Sequence, residues 1–220
     1  MPATVLPGPA ESPPIGRGGI PFSVTVVLAV WFALVVSFGA FDAFVGPPGT
    51  PPIAIGVGFG APLLLFFAGL RLSQSFRDFV RSLDLRLIAG MQAWRWGGLG
   101  FLSLYAHGVL PAMFALPAGL GDMAVGLVAP WMVLGLVRHP RFASSPAFIR
   151  WNVFGVLDLI VAVSLGALSA TLSTATPGEI TTAPMATLPL LMIPAFFVPL
   201  FLMLHTSALM QSRQAIRGRA

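Results

Sequence analysis

Apolar residues in this chain come in long unbroken runs, separated by short breaks that carry either arginine or proline and glycine. Neither the period-2 alternation of a half-buried strand nor the single apolar stripe of a soluble helix organises them. Runs of about 20 such residues match the length of a helix that crosses the ~30 Å hydrocarbon core of a bilayer. Six are present, at about 20–41, 52–70, 87–110, 117–137, 148–170 and 188–210. The pattern predicts an all-α polytopic integral membrane protein, a bundle of six transmembrane helices filling residues 20–210. The first run is longer than the 7–15-residue core of a signal peptide, so it reads as a helix and not as a cleaved leader.

Pro and Gly punctuate the connections, in GPPGTPP at 46–52, LPAMFALPAG at 110–119 and TATPGE at 174–179. Pro62, Pro130, Pro194 and Pro199 fall inside the second, fourth and sixth runs, where lipid-buried helices tolerate proline if neighbours satisfy the freed carbonyl. Residues 1–19 are rich in Pro and Gly without apolar period and predict a disordered tail. Residues 211–220 form a short basic tail.

Between the second and third runs, LSQSFRDFVRSLDLRL has another pattern. Leu72, Phe76, Phe79, Val80, Leu83 and Leu87 share one helical face, and Arg77, Asp78, Arg81 and Asp84 lie away from it. This predicts an amphipathic helix over about 72–86 lying in the membrane interface, either as a plain connection or as an attachment surface for anionic lipid or a partner.

Arginine fixes an orientation. Every arginine except Arg95 falls in alternate breaks: Arg17, then Arg71, Arg77, Arg81 and Arg86, then Arg138, Arg141 and Arg150, then Arg213, Arg217 and Arg219. By the positive-inside rule these breaks face the cytoplasm, which puts both termini on that side of a cytoplasmic (inner) membrane. Trp94, Trp96 and Trp151 fall near the same boundary, where amphipathic rings prefer to sit.

Composition agrees with a bilayer setting and narrows the chemistry. The chain of 220 residues is 56% hydrophobic and 9% charged, too few polar residues to cover a water-soluble globule. Its net charge of +5 comes from arginines scattered in small groups, which argues against nucleic acid as a partner. With no Cys, disulfides, thiolate metal sites and cysteine nucleophiles are excluded; with no Lys, Schiff-base chemistry is excluded. The enzyme motifs GxSxG, HExxH, the Walker loop and the dinucleotide fingerprint are absent, and GVGFGA at 56–61 lies within an apolar run where its glycines suit helix packing, so the reading leans away from an enzyme.

Ionisable groups at membrane depth are costly, so each one is a candidate for function with a partner to be found. An inner layer holds Gln92, Arg95, Asn152, Asp158 and His205, with Asp158 the natural partner of Arg95. On a wheel of 100° per residue Gln92, Arg95, Ser103 and His107 form one polar stripe, and Asp158 shares a face with the small residues Gly155, Ala162 and Gly166. An outer layer holds Asp42, His107 and Asp122; Asp122 follows LPAGLG and reads as an acid in the first turn of its helix. RWGGLGFLSL at 95–104 and RWNVFGVLDL at 150–159 match at five offsets, which marks either a parallel repeat or a coincidence.

Three functions fit. The first is a small-solute or proton-coupled permease working through the buried polar residues. The second is a non-catalytic membrane subunit or scaffold, partnered by another membrane protein or by its own copies, in which the same residues only clamp helices. The third and lesser is a haem- or metal-binding membrane protein. No cofactor is expected, but the histidines leave room for a single-His haem and His107 with the two outer carboxylates for a divalent metal.

Overall fold

A computed structural model describes residues 21–139, 141–174 and 176–217. The expected tail 1–19 and the last three residues of the basic tail 211–220, with Arg17 and Arg219, lie outside the described residues. The described chain is helical throughout, without strands.

Helix α1 spans Phe22–Ala40 and α2 spans Ile53–Leu72, each starting directly after a proline, whose ring disfavours helical geometry in the residue before it. Helix α3 (Gln74–Ser82) and α4 (Leu85–Met91) follow, with Ser73 and Asp84 accepting hydrogen bonds from the Phe76 and Arg86 amides as N-caps. A 3-10 stretch, Gln92–Gly97, leads into α5, Gly98–Ala106. Helix α6 spans Ala112–Arg138, and α7 spans Pro146–Thr171 with Ser145 as its N-cap. A π-helical turn at Ile193–Phe197 runs into α8, Val198–Arg217.

Five helices are long and apolar enough to cross a membrane: Phe22–Ala40, Ile53–Leu72, Ala112–Arg138, Pro146–Thr171 and Ile193–Ile216. The run at 87–110 differs from the expected single helix. It is a stack of α4, the 3-10 stretch and α5, together roughly 36 Å long at 1.5 Å per α residue and 2.0 Å per 3-10 residue. Two causes favour the tighter winding. Gly97 weakens α propensity at its end, and the Trp96 amide nitrogen packs directly on Gly126, 2.7 Å from where a Cβ would sit.

Helix α6 is the hub, packing on α4, the 3-10 stretch, α5 and α7, while α8 lies against α7 and α2. The arginine-bearing end is tied by a cluster of Ile88, Ala89, Val125, Ala129, Phe148, Trp151 and Ala208. The arginine-free end is tied by Phe101, Leu110, Phe114, Ala115, Ala118 and Met185. Helix α1 buries only Val35 and Gly39, and α2 only Leu70, so both present most of their apolar surface outward.

Helix α3 is amphipathic, and it spends its apolar face on its own chain. Val80 is buried and Phe76 packs on Gly69 of α2. The Arg77 guanidinium donates to the Leu70 and Arg71 carbonyls at 2.9 and 3.0 Å, capping the open end of α2. Gln211 of α8 donates to the Val80 and Leu83 carbonyls at 3.2 and 3.0 Å, capping α3 in turn.

Candidate functional site

Arg95 has the most buried charged side chain in the described chain, and its fork reaches three other helices, α6, α7 and α8. Its Nε donates to Asp122 Oδ1 of α6 at 2.6 Å, and one terminal nitrogen donates to Asp158 Oδ2 of α7. The other terminal nitrogen lies 3.3 Å from the Gly155 carbonyl and 3.2 Å from His205 Nε2 of α8. His205 Nδ1 is 2.9 Å from Asn152 Oδ1, and Asn152 Nδ2 donates to the Phe148 carbonyl. A guanidinium can only donate, so His205 Nε2 accepts and Nδ1 carries the proton toward Asn152. Trp151 closes the site, its ring edge-on to His205 at 5.6 Å and its indole N–H on the Val125 carbonyl.

Small residues make this approach possible. A Cβ on Gly121 would overlap the Asp158 carboxylate, and one on Gly155 would overlap the His205 ring. Glycine at those positions lets α6, α7 and α8 close around one guanidinium.

The structure brings together Arg95, Asn152, Asp158 and His205 and adds Asp122 to them. That corrects the placing of Asp122 in an outer layer with Asp42 and His107. Helix α6 begins at Ala112, with Pro117 inside it, so Asp122 lies roughly 15 Å along the helix and not in its first turn. Asp42 and His107 are exposed; His107 Nδ1 lies 2.8 Å from the Ser103 carbonyl one turn back. Among the described residues no three His, Asp or Glu side chains are grouped to hold a metal ion. Both ring nitrogens of His205 are engaged in side-chain contacts, with Arg95 and with Asn152.

The polar stripe expected along the third run is broken. Gln92 and Arg95 are buried, whereas Ser103 and His107 are exposed. A 3-10 residue turns the chain by 120° and not 100°, so six of them shift the phase by roughly a third of a turn before α5 begins. The Gln92 amide is buried without a hydrogen-bond partner among the described residues.

The charges do not balance. One guanidinium faces two carboxylates, and the side chains of Arg95, Asp122 and Asp158 are 0%, 16% and 8% exposed. Asp122 borders a cavity of about 580 Å³ at the arginine-free end, lined by residues of α2, α5, α6, α7, the segment 193–198 and the loops around 44–52 and 173–186. Asp122 also borders a second cavity of about 180 Å³, together with Trp94, Arg95 and Phe197. Glu179, which sequence reasoning passed over, borders the larger cavity. Partial desolvation acts to raise its carboxyl, but hydrogen bonds from the Thr174 N–H and hydroxyl and the Ser173 hydroxyl outweigh this and hold it below the ordinary glutamate value.

Neither a curated protein nor a solved structure matches the chain. One family model does, over residues 52–213, a stretch that includes Arg95, Asp122, Asn152, Asp158 and His205 and leaves α1 outside. By that match the chain belongs to the family described as Domain of unknown function (DUF8737).

Proposed function

We propose that the chain is a small-solute permease of the cytoplasmic membrane, coupled to protons through the Arg95 cluster. The bundle crosses the bilayer six times, the stack of α4, the 3-10 stretch and α5 supplying the crossing that length alone does not credit to one helix. Both termini lie on the arginine-bearing, cytoplasmic side, and the bilayer is the main partner. The observation that carries this reading is the unequal charge: two carboxylates from different helices share one guanidinium, and one of them borders two cavities. A cluster with one negative charge too many in a low-dielectric interior has a built-in place for a proton or a cation, and its affinity for either depends on whether the helices stay closed.

Asp158→Asn tests it. The variant removes the excess charge while keeping the shape, so it should fold, extract from membranes as well as the parent, and lose proton-driven solute flux in proteoliposomes to the background of empty vesicles. Flux at the parental rate would overturn the proposal.

A second reading has its own support. Arg95 has every donor nitrogen engaged, as a purely structural clamp in a scaffold or non-catalytic subunit would. On that reading Asp158→Asn lowers the yield of folded protein.

A further inference from the structure

The larger cavity has a chemistry of its own. Among the residues that line it, Asp122 and Glu179 are the only charged ones, and both are acidic. Thr50, Ser173, Thr176, Thr181 and Thr182 add neutral polar groups toward the loops, and most of the remaining lining is apolar, with Phe44, Phe59, Phe101 and Phe114 in it. At about 580 Å³ it lies within the range of cavities that enclose a drug-sized organic molecule. Aromatic faces attract cations and do little for anions.

Asp122 makes the cavity selective. Its Oδ1 is held by Arg95 Nε at 2.6 Å, whereas Oδ2 accepts no hydrogen bond among the described residues. Arg95 is already shared with Asp158, so Asp122 faces the cavity with part of its charge uncompensated. A neutral apolar occupant would leave that charge against a dry wall, and an anion would be repelled by both carboxylates. A compact inorganic cation would lose hydration that a mostly apolar lining, with hydroxyls only toward the loops, replaces in part. A cation whose charge is spread within an apolar body meets every part of this lining.

We infer that the cavity between α2 and α7 is a binding site for a lipophilic organic monocation, with Asp122 as its counter-charge. This rests on the permease reading for its biological sense, and it names the class of solute that such a permease would carry. It does not rest on that reading for its test, because binding is measured without flux.

The test uses two probe ions of one shape and opposite charge, tetraphenylphosphonium and tetraphenylborate, with the purified full-length protein in nanodiscs of neutral lipid. Binding is followed by tryptophan fluorescence and equilibrium dialysis, with empty nanodiscs subtracted. Tetraphenylphosphonium should bind at least tenfold more tightly than tetraphenylborate, Asp122→Asn should remove most of that preference, and Ala162→Phe, which fills the cavity, should remove binding of both. Because Asp122→Asn could disturb the Arg95 cluster, Glu179→Gln at the loop-side rim provides a second variant, expected to weaken the cation by a few-fold. Equal binding of the two probes would overturn the inference, since it marks an apolar space that acyl chains fill. An unchanged preference in Asp122→Asn would overturn it as well. Tetraphenylphosphonium binding without its uptake into proteoliposomes would keep the site and sink the permease.

Discussion

An ideal Cβ on Gly121 would coincide with the Asp158 carboxylate, and one on Gly155 with the His205 imidazole, so neither position can take alanine without moving a member of the cluster. Overpacking of this kind costs about 1–3 kcal/mol. Gly121→Ala and Gly155→Ala should each lower the midpoint of thermal unfolding in detergent, by about 2–4 °C per kcal/mol in a chain of this size. Gly100→Ala, where nothing lies within 4 Å, should leave it unchanged or raise it slightly. Equal midpoints for all three would mean that the close approach of α6, α7 and α8 is not maintained. Gln92 makes the opposite case: its amide is buried without a hydrogen-bond partner among the described residues, a state that costs about 1–3 kcal/mol. Gln92→Met keeps the volume and removes the penalty, so unfolding should shift upward. A downward shift would show that the amide serves a bound water or solute. At this scale the pairing of Arg95 with Asp158 is legible in the sequence, because Arg95 is the one arginine outside the connections and a buried charge demands a partner. Asp122 is not legible, since LPAG at 116–119 looks like a helix start and the structure carries α6 straight through Pro117.

Helix α3 shows how elements hold one another in place. Arg77 caps α2 from α3, Gln211 caps α3 from α8, and Ser73 caps the start of α3 through the Phe76 amide. Each bond satisfies carbonyls or amides that a helix end leaves open, and a lost cap or hydrogen bond of this sort is worth about 1 kcal/mol. Gln211→Ala should therefore speed hydrogen exchange of the α3 amides several-fold while leaving α6 and α7 untouched; protection of α3 equal to the parent would mean that it is held by lipid alone. The amphipathic pattern at 72–86 announces this element, but not that Gly69 of α2 and Gln211 of α8 engage it inside the chain. The 3-10 stretch is likewise invisible to a 100° wheel, because one of the features that favour it is the bare surface of Gly126 on another helix. The match between 95–104 and 150–159 does not extend to environment: Arg95 is buried in 3-10 geometry, while Arg150 is exposed on the continuous α7.

For the whole molecule, everything about direction follows from which end faces the cytoplasm. Arg71, Arg77, Arg81, Arg86, Arg138, Arg141 and Arg150 gather at the end where α3 meets α8, and the large cavity opens among the loops of the other end. A guanidinium is dragged across a bilayer at great cost, so insertion leaves such an end where synthesis took place. The absence of cysteine makes this testable with little disturbance. Ser82 and Thr176 are exposed at opposite ends, and Ser82→Cys and Thr176→Cys each introduce the only thiol in the chain. In intact cells a membrane-impermeant maleimide should label Thr176→Cys fully and Ser82→Cys only after the membrane is opened. The reverse pattern would turn the cavity toward the cytoplasm and make any flux through it export of a cytoplasmic solute. Labelling of both from outside would mean that the chain between α2 and α7 crosses an odd number of times. In that case the stack of α4, the 3-10 stretch and α5 would lie along the membrane, Arg95 would leave its buried setting, and Asp122 and Asp158 would lose their counter-charge, at a cost that each could relieve only by taking up a proton.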